Sequence, residues 1–302
     1  MKKILVILSC FMSMSLFGQR LNNTLSKTRF NIAILGRFDG QALFSVKNIH
    51  SKIPASFTAY DLLVDFKTTK NNFGIFVSHK QIASVSTTSL AGHYVYELEV
   101  NPESSIYWGI QAGLVLSKLQ NSYLFADQFS VLSNEINNSS EKITTASQMA
   151  FDVNASVLWK NNRFQLGFSA LHLNKPQWTY NQEKNITPIG ASIISSYRFD
   201  LSAQDEKGGV YLDAITYGQF LDKKNISLAS QLVLDQYQGF AGKITFGMEW
   251  GKDLGKRSHF AWYTYLGYSQ DKVEIQYTFG ANQSYQKTLG SQHQIIVGYT
   301  FD

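Results

Sequence analysis

The sequence predicts an all-β fold: a closed antiparallel transmembrane β-barrel of about fourteen strands. Three observations predict it. Apolar and polar residues alternate with period two over stretches near the 9–11 residues that a tilted, bilayer-spanning strand needs. Aromatics make up 14% of the chain and charged residues only 16%, against about 25% charged in an average soluble domain. No stretch after Phe17 supplies the ~18 apolar residues of a transmembrane helix, although mean hydropathy is close to neutral at −0.15. A wall with one face in lipid and the other toward a polar interior has this composition.

The beginning of the sequence reads as an export signal. Met1-Lys2-Lys3 is a positive n-region, Ile4 to Phe17 an apolar h-region, and Gly18 a small residue at the cleavage point. The expected organisation is a signal peptide over residues 1–18 and an outer-membrane barrel over 19–302. Cys10 after Leu8-Ser9 suggests a lipobox, but only Ile4 to Ser9 would precede it, short of the usual h-region. Cys10 is the sole cysteine, so the exported chain is expected to have neither disulfides nor thiolate chemistry. The formal charge of +5 includes Lys2 and Lys3 and is scattered, which argues against nucleic-acid binding.

Strands are expected near Ile34, Leu62, Ile75, Tyr94, Ile110, Val153, Leu166, Ile193, Leu212, Leu228, Ile244, Tyr265, Tyr277 and Val297. In the second, Tyr60, Leu62, Val64 and Phe66 alternate with Ala59, Asp61 and Asp65. In the fifth, Ile106, Trp108, Ile110, Ala112 and Leu114 alternate with Tyr107, Gly109, Gln111 and Gly113. Alternation is poorest near Leu212 and Leu228. A soluble sandwich alternates too; strand length and the aromatic ends of the apolar faces favour the membrane.

Connections fall into two classes. Short polar turns are expected at Lys67 to Asn71, Pro102 to Ser104, Lys160 to Asn162, Asp235 to Gln238 and Ser269 to Asp271. Longer loops are expected at Asp39 to Pro54, Lys118 to Gln148, Leu171 to Thr187 and Gly251 to Ser258, with one longer charged turn at Phe199 to Gly209. Short periplasmic turns alternating with longer outer loops suit the architecture. Trp108 and Trp159 would then sit at the periplasmic interface and Trp250 and Trp262 at the outer one. The segment 118–148 is the largest outer loop. Its Phe125, Asp127, Gln128 and Phe129 are the candidate partner-binding residues, with a plain solvated loop as the alternative.

Chemistry is not legible. The histidines are dispersed, and neither H-E-x-x-H nor G-x-S-x-G occurs. No catalytic, cofactor-binding or metal-ligating residue is assigned, and no cofactor is expected. Only Gln19 to Thr28 precedes the first expected strand, which argues against an N-terminal plug. Inward Tyr107, Phe76, Tyr263 and Tyr265 would fill much of a fourteen-stranded lumen, whereas open porins use about 16–18 strands.

The order of segments resembles the PorP/SprF family of type IX secretion-associated outer-membrane proteins. Arg29-Phe30-Asn31-Ile32 and Arg37-Phe38-Asp39-Gly40-Gln41 look like that family's first strand. Phe57-Thr58-Ala59-Tyr60-Asp61 resembles its second and Asn72-Phe73-Gly74-Ile75-Phe76-Val77-Ser78 its glycine-bearing third. Ser86-Thr87-Thr88-Ser89-Leu90, Trp108-Gly109-Ile110-Gln111-Ala112-Gly113, Phe151-Asp152-Val153-Asn154-Ala155 and Phe164 to Asn174 follow in family order, and His293 to Phe301 is similar to the closing strand. Leu21 to Thr28 departs from the pattern by lacking a proline.

The resemblance implies a non-enzymatic barrel in the cell outer membrane. Its partners would be the lipid bilayer and a secreted surface protein, such as an adhesin used in gliding motility, and/or type IX secretion components. Two alternatives remain: a diffusion channel or hydrophobic-solute transporter, and a structural subunit of a larger envelope complex.

The expected topology is testable by labelling. A cysteine introduced at Ser139 should react with an impermeant thiol reagent on intact cells, and one at Asn161 should not. The reverse pattern would reject the orientation.

Overall fold

The computed structural model describes residues 31–38, 40–49, 57–82, 85–119, 147–180, 183–200, 210–222, 225–238, 242–253, 259–270, 272–284 and 291–301. The expected signal peptide lies outside them. Fourteen antiparallel strands form one closed barrel. In chain order the strands are β1 (Gln41–Ile49), β2 (Phe57–Lys67), β3 (Asn71–Ile82), β4 (Val85–Asn101), β5 (Ser104–Leu119), β6 (Ser147–Asn161), β7 (Phe164–Leu171), β8 (Gln177–Tyr180), β9 (Glu183–Ile186), β10 (Gly190–Asp200), β11 (Val210–Asp222), β12 (Asn225–Gln238), β13 (Gly242–Asp253), β14 (His259–Gln270), β15 (Val273–Ser284) and β16 (Ser291–Thr300). All but β8 and β9 make the wall; these two form a separate hairpin within the loop after β7. The wall closes where β1 pairs with β16, from Gln41↔Thr300 to Ile49↔Gln292.

Side-chain alternation sets the two faces of the wall. Tyr60, Leu62 and Phe66 of β2 are outward and exposed, whereas Ala59, Asp61, Leu63 and Asp65 are inward and buried. Trp108, Ile110, Leu114 and Leu116 of β5 face out; Tyr107 faces in. Ile275, Tyr277 and Phe279 of β15 and Ile295, Val297 and Tyr299 of β16 continue the apolar exterior. In water such a surface would aggregate; in a bilayer it is the solvated face.

One end of the wall carries short turns: 68–70, 102–103, 162–163 and 271–272. It carries a ring of aromatics as well. Phe66 stacks on Phe301 at 5.3 Å, Tyr197 tilts against Phe199 at 4.7 Å, and Trp159 meets Phe164 edge-on at 5.8 Å. Trp159 Nε1 donates to Ser104 Oγ at 2.8 Å, which holds the indole at the interface, its ring in lipid and its N–H on a polar partner. Trp250 and Trp262 are paired across β13 and β14 toward the opposite, loop end.

Several expectations need correction or refinement. No strand is centred on Ile34: Ile32–Arg37 is a 3-10 helix. The first strand is instead Gln41–Ile49, inside the expected outer loop Asp39 to Pro54. Ile32 to Leu35 is a continuous apolar run, which marks full burial, not a half-buried strand. Asp235 to Gln238 belongs to β12 and is not a turn. The Leu171 to Thr187 loop holds the β8–β9 hairpin, closed by Thr187 N–H donating to Pro176 O at 2.9 Å and Trp178 Nε1 to Thr187 Oγ1 at 3.0 Å. Between β3 and β4 and between β11 and β12 the loop-end connections span only 83–84 and 223–224, so the long–short rhythm is imperfect.

The two faces predict unequal tolerance. Ile110→Arg puts a charge in lipid and should cost roughly 2–4 kcal/mol near the bilayer midplane. Gln111→Arg, one residue along and inward, should cost far less. Urea unfolding followed by heat-modifiable gel migration reads both, and equal losses would mean that the faces are misassigned.

Candidate functional site

The segment before β1 runs inside the barrel. Asn31 caps a 3-10 helix, its Oδ1 accepting from Ala33 N–H at 3.0 Å, and Phe38 N–H closes it on Leu35 O at 3.1 Å. Ile32, Ala33, Ile34, Leu35 and Gly36 are all buried. We call this segment the cork. It corrects the expectation that no plug precedes the first strand.

The wall supplies a shaped socket. Leu43, Leu63, Val95, Tyr107, Leu158, Ile194, Ile215 and Ile296 point inward and form one cluster with the cork, with Phe76 packed against it. These residues come from β1, β2, β3, β4, β5, β6, β10, β11 and β16, so at the cork's level the interior is an apolar core. Burial of each large aliphatic side chain is worth about 1.5–3 kcal/mol. Tyr107 and Phe76 lie inward as the sequence suggested; the side chains of Tyr263 and Tyr265 lie outside the described residues.

Two glycines make close approach possible. A Cβ on Gly109 would stand 2.6 Å from Ile32 Cγ2 and 2.8 Å from Ala33 N, and one on Gly167 would overlap Asn31 Nδ2. With hydrogen there instead, the cork backbone reaches the wall. Ala33 N–H also donates to Ser156 Oγ at 2.9 Å, and Asn31 Nδ2 donates to Val157 O at 3.0 Å and Phe168 O at 3.3 Å. Asn31 thereby ties β6 and β7 together from within.

A polar layer surrounds the cork toward the turn end. Asn72 Nδ2 donates to Asp65 Oδ2 at 2.7 Å and reaches Leu35 O at 3.4 Å. Arg37 donates to the Gln165 side chain. Tyr107 donates to Glu97 at 2.7 Å, and Glu97 pairs with Lys67 at 3.6 Å. Glu97, Tyr107 and Lys160 line a polar vestibule of about 600 Å³ at this mouth.

Near the loop end, β7 stops at Leu171 because the chain turns through two left-handed residues, His172 (φ 57) and Lys175 (φ 48). The backbone of β6 is satisfied by a side chain instead. Val153 N–H donates to Asn174 Oδ1 at 3.0 Å, and Asn174 Nδ2 donates to Phe151 O at 2.6 Å. His172 N–H bonds Asn154 at 2.9 Å and its ring pairs with Asp152 at 2.9 Å.

The sequence-expected partner residues Phe125, Asp127, Gln128 and Phe129 lie outside the described residues. The cork, which the structure seats inside the lumen against β3, β4, β5 and β6, was missed. The signal that could have found it was the unbroken Ile32-Ala33-Ile34-Leu35 run beside Asn31, in place of alternation.

A family model described as type IX secretion system membrane protein PorP/SprF matches residues 41–299. The chain belongs to this family, whose members are outer-membrane proteins. No curated sequence relative matches it. Among solved structures, the fold is similar to the CymD monoaromatic hydrocarbon channel at 10% identity and TM-score 0.58, covering 94% of this chain and 95% of that one. It is similar to a Pseudomonas aeruginosa FadL homologue at 11% identity and TM-score 0.53, covering 96% and 97%. It also resembles the Pseudomonas putida toluene transporter TodX at 8% identity and TM-score 0.51, covering 94% and 95%. At such identities the likeness is one of fold.

The fit of the cork predicts the effect of a Cβ in its socket. Gly109→Val should lower barrel stability by about 1–3 kcal/mol through overpacking, read as a lower urea midpoint. An unchanged midpoint would mean that Ile32 is not seated on β5.

Proposed function

We propose that this PorP/SprF barrel is a non-enzymatic accessory of type IX secretion that anchors, or helps export, a large surface protein of the adhesin kind. The observation that carries the reading is the interior: at the cork's level it is packed as an apolar core, as suits a scaffold for protein contact. The histidine contacts fit that reading. His79 meets Thr88 at 2.9 Å, His172 pairs with Asp152, and His293 meets Tyr277 at 2.7 Å. Each is a local pairing that supports wall or loop geometry, and the reading requires no cofactor or metal.

The proposed contact is the loop segment 118–148 with Phe125, Asp127, Gln128 and Phe129. A loop can change without disturbing the wall, whereas every second wall residue must suit lipid. A hydrophobic-solute conduit is the second reading, and the cork is the observation that bears on it. Transport along the axis would require the cork to leave a socket in which Ile32, Ile34 and Leu35 are buried. A structural subunit of a larger envelope complex differs from both by keeping its neighbours when the loop is shortened.

Deleting residues 124–140 should leave an assembled barrel that no longer retains its surface protein in outer-membrane fractions. The comparison is of barrel level with client level, alongside conductance of the purified barrel in planar bilayers. An unchanged protein inventory together with measurable solute flux would favour the conduit.

A further inference from the structure

The outer face of β5, β6 and β7 is not a uniform lipid-facing wall. It carries a groove of about 580 Å³ whose lining includes Tyr94, Tyr96, Trp108, Phe168, Ala155 and Ala170. The ladder explains its shape. Ala155 pairs with Ala170, and Ala170 pairs with Ala191, so three small side chains stand side by side across β6, β7 and β10. Trp108 pairs with Val157 and Phe168 pairs with Val157 and Ile193, so the next rungs toward the turn end carry bulk. Trp108 and Phe168 are half exposed. Tyr94 sends its hydroxyl away to Asn71 Oδ1 at 2.7 Å, which satisfies its only polar group outside the groove.

The same strands are fixed from behind. Val157 and Phe168, which help to line the groove, present their backbone carbonyls to Asn31 in the lumen. Ser156 Oγ accepts from the cork, and Gly109 abuts Ile32. The groove is thus preformed on a patch of wall that the cork braces from the lumen side, and an occupant would meet little reorganisation cost.

We propose that this groove docks one acyl chain of a phospholipid from the leaflet at the turn end. The surface around it already faces lipid, and the aromatic ring of the turn end borders it. No charged residue lines it, as suits a hydrocarbon occupant. A flexible chain matches a channel lined by aromatic side chains and by Ala155 and Ala170, where bulkier wall residues would exclude it. The site is independent of the secretion reading, since a conduit or a scaffold would carry it alike.

The test uses the full barrel purified in mild detergent and palmitoyl-oleoyl phosphatidylethanolamine as the probe. Native mass spectrometry should show one lipid retained after the rest are stripped. Ala170→Phe fills the groove from the lipid side and should reduce that retention roughly tenfold, about 1.4 kcal/mol. Ile275→Phe, of the same added bulk type elsewhere on the exposed wall, should leave it unchanged. If Ala170→Phe fails to give a heat-modifiable barrel, Ala155→Leu is the smaller filling. A second readout keeps Trp108 as the sole tryptophan and uses chain-brominated phospholipid in vesicles. Quenching at low brominated fraction, lost in the filled variant, supports the site. Equal lipid retention in filled and native barrels overturns it. So does equal loss in Ile275→Phe, or Trp108 of the native barrel that stays unquenched in the brominated vesicles.

Discussion

A chain that crosses hydrocarbon with strands must pair every backbone N–H and C=O, because no water is there to take them. Closure of β1 on β16 is therefore the contact on which the rest depends. The register Gln41↔Thr300 to Ile49↔Gln292 removes both sheet edges. It also dictates what precedes it. With β1 beginning at Gln41, the residues just before must pass the turn-end mouth, and Phe301 N–H donates to Gly40 O at 2.7 Å there. Where the short β7 would break the ladder, above Leu171, the Asn174 amide donates and accepts in place of a backbone. The same rule is met with a side chain.

The interior follows from the cork. Read from the turn end along β2, the inward residues are Asp65, Leu63, Asp61 and Ala59, all buried. Along β1 they are Gln41, Leu43 and Ser45. On these two strands the large apolar inward residues, Leu63 and Leu43, fall at one level and belong to the cluster that holds Ile34 and Leu35. Below that layer Asn72 joins Asp65 to Leu35 O; above it Ser78 donates to Asp61 at 2.6 Å, and on the far side of β1 Gln294 donates to Ser45 at 2.8 Å. These partners offset the cost of burying polar groups, although His93, buried beside the same layer, has no partner for either ring nitrogen. A water-filled lumen would have no use for Leu43, Leu63 and Val95 turned inward.

The wall was legible in the sequence because lipid imposes a strict rule on alternate residues. Leu62, Ile75, Ile110 and Tyr277 could be placed from period two alone, and even Leu212 and Leu228 fall in strands. The centre at Ile34 failed for a physical reason. Residues surrounded by protein on all sides need no alternation, so Ile32-Ala33-Ile34-Leu35 imitates a strand only in being apolar. Gln41–Ile49 was hidden because its outward Ala42 and Asn48 flank Phe44 and Val46 with little apolar contrast. Its Lys47 reads as a loop residue, although Lys47 Nζ lies 5.8 Å from the ring of Phe57. The socket glycines were visible but silent: Gly109 and Gly167 look like ordinary strand glycines until Ile32 and Asn31 are known to press on them.

Asn31 joins these strands of argument. A carbonyl oxygen has two lone pairs, so Val157 and Phe168 can keep their ladder partners and still accept from the lumen. One carboxamide offers two donor hydrogens and an acceptor. It uses the acceptor to cap its own helix and the donors to bridge β6 and β7. Aspartate would keep the cap but lose both bridges, and would set a charge against two carbonyl oxygens. Leucine would fill the space but leave Ala33 N–H with Ser156 alone. Only a short amide does both tasks, which explains why a polar residue heads an apolar cork. The wall at β6 and β7 is one residue thick, and the residues that accept from Asn31 inside are the ones that shape the groove outside. The seating of the cork and the outer surface of this wall thus rest on the same two residues, Val157 and Phe168.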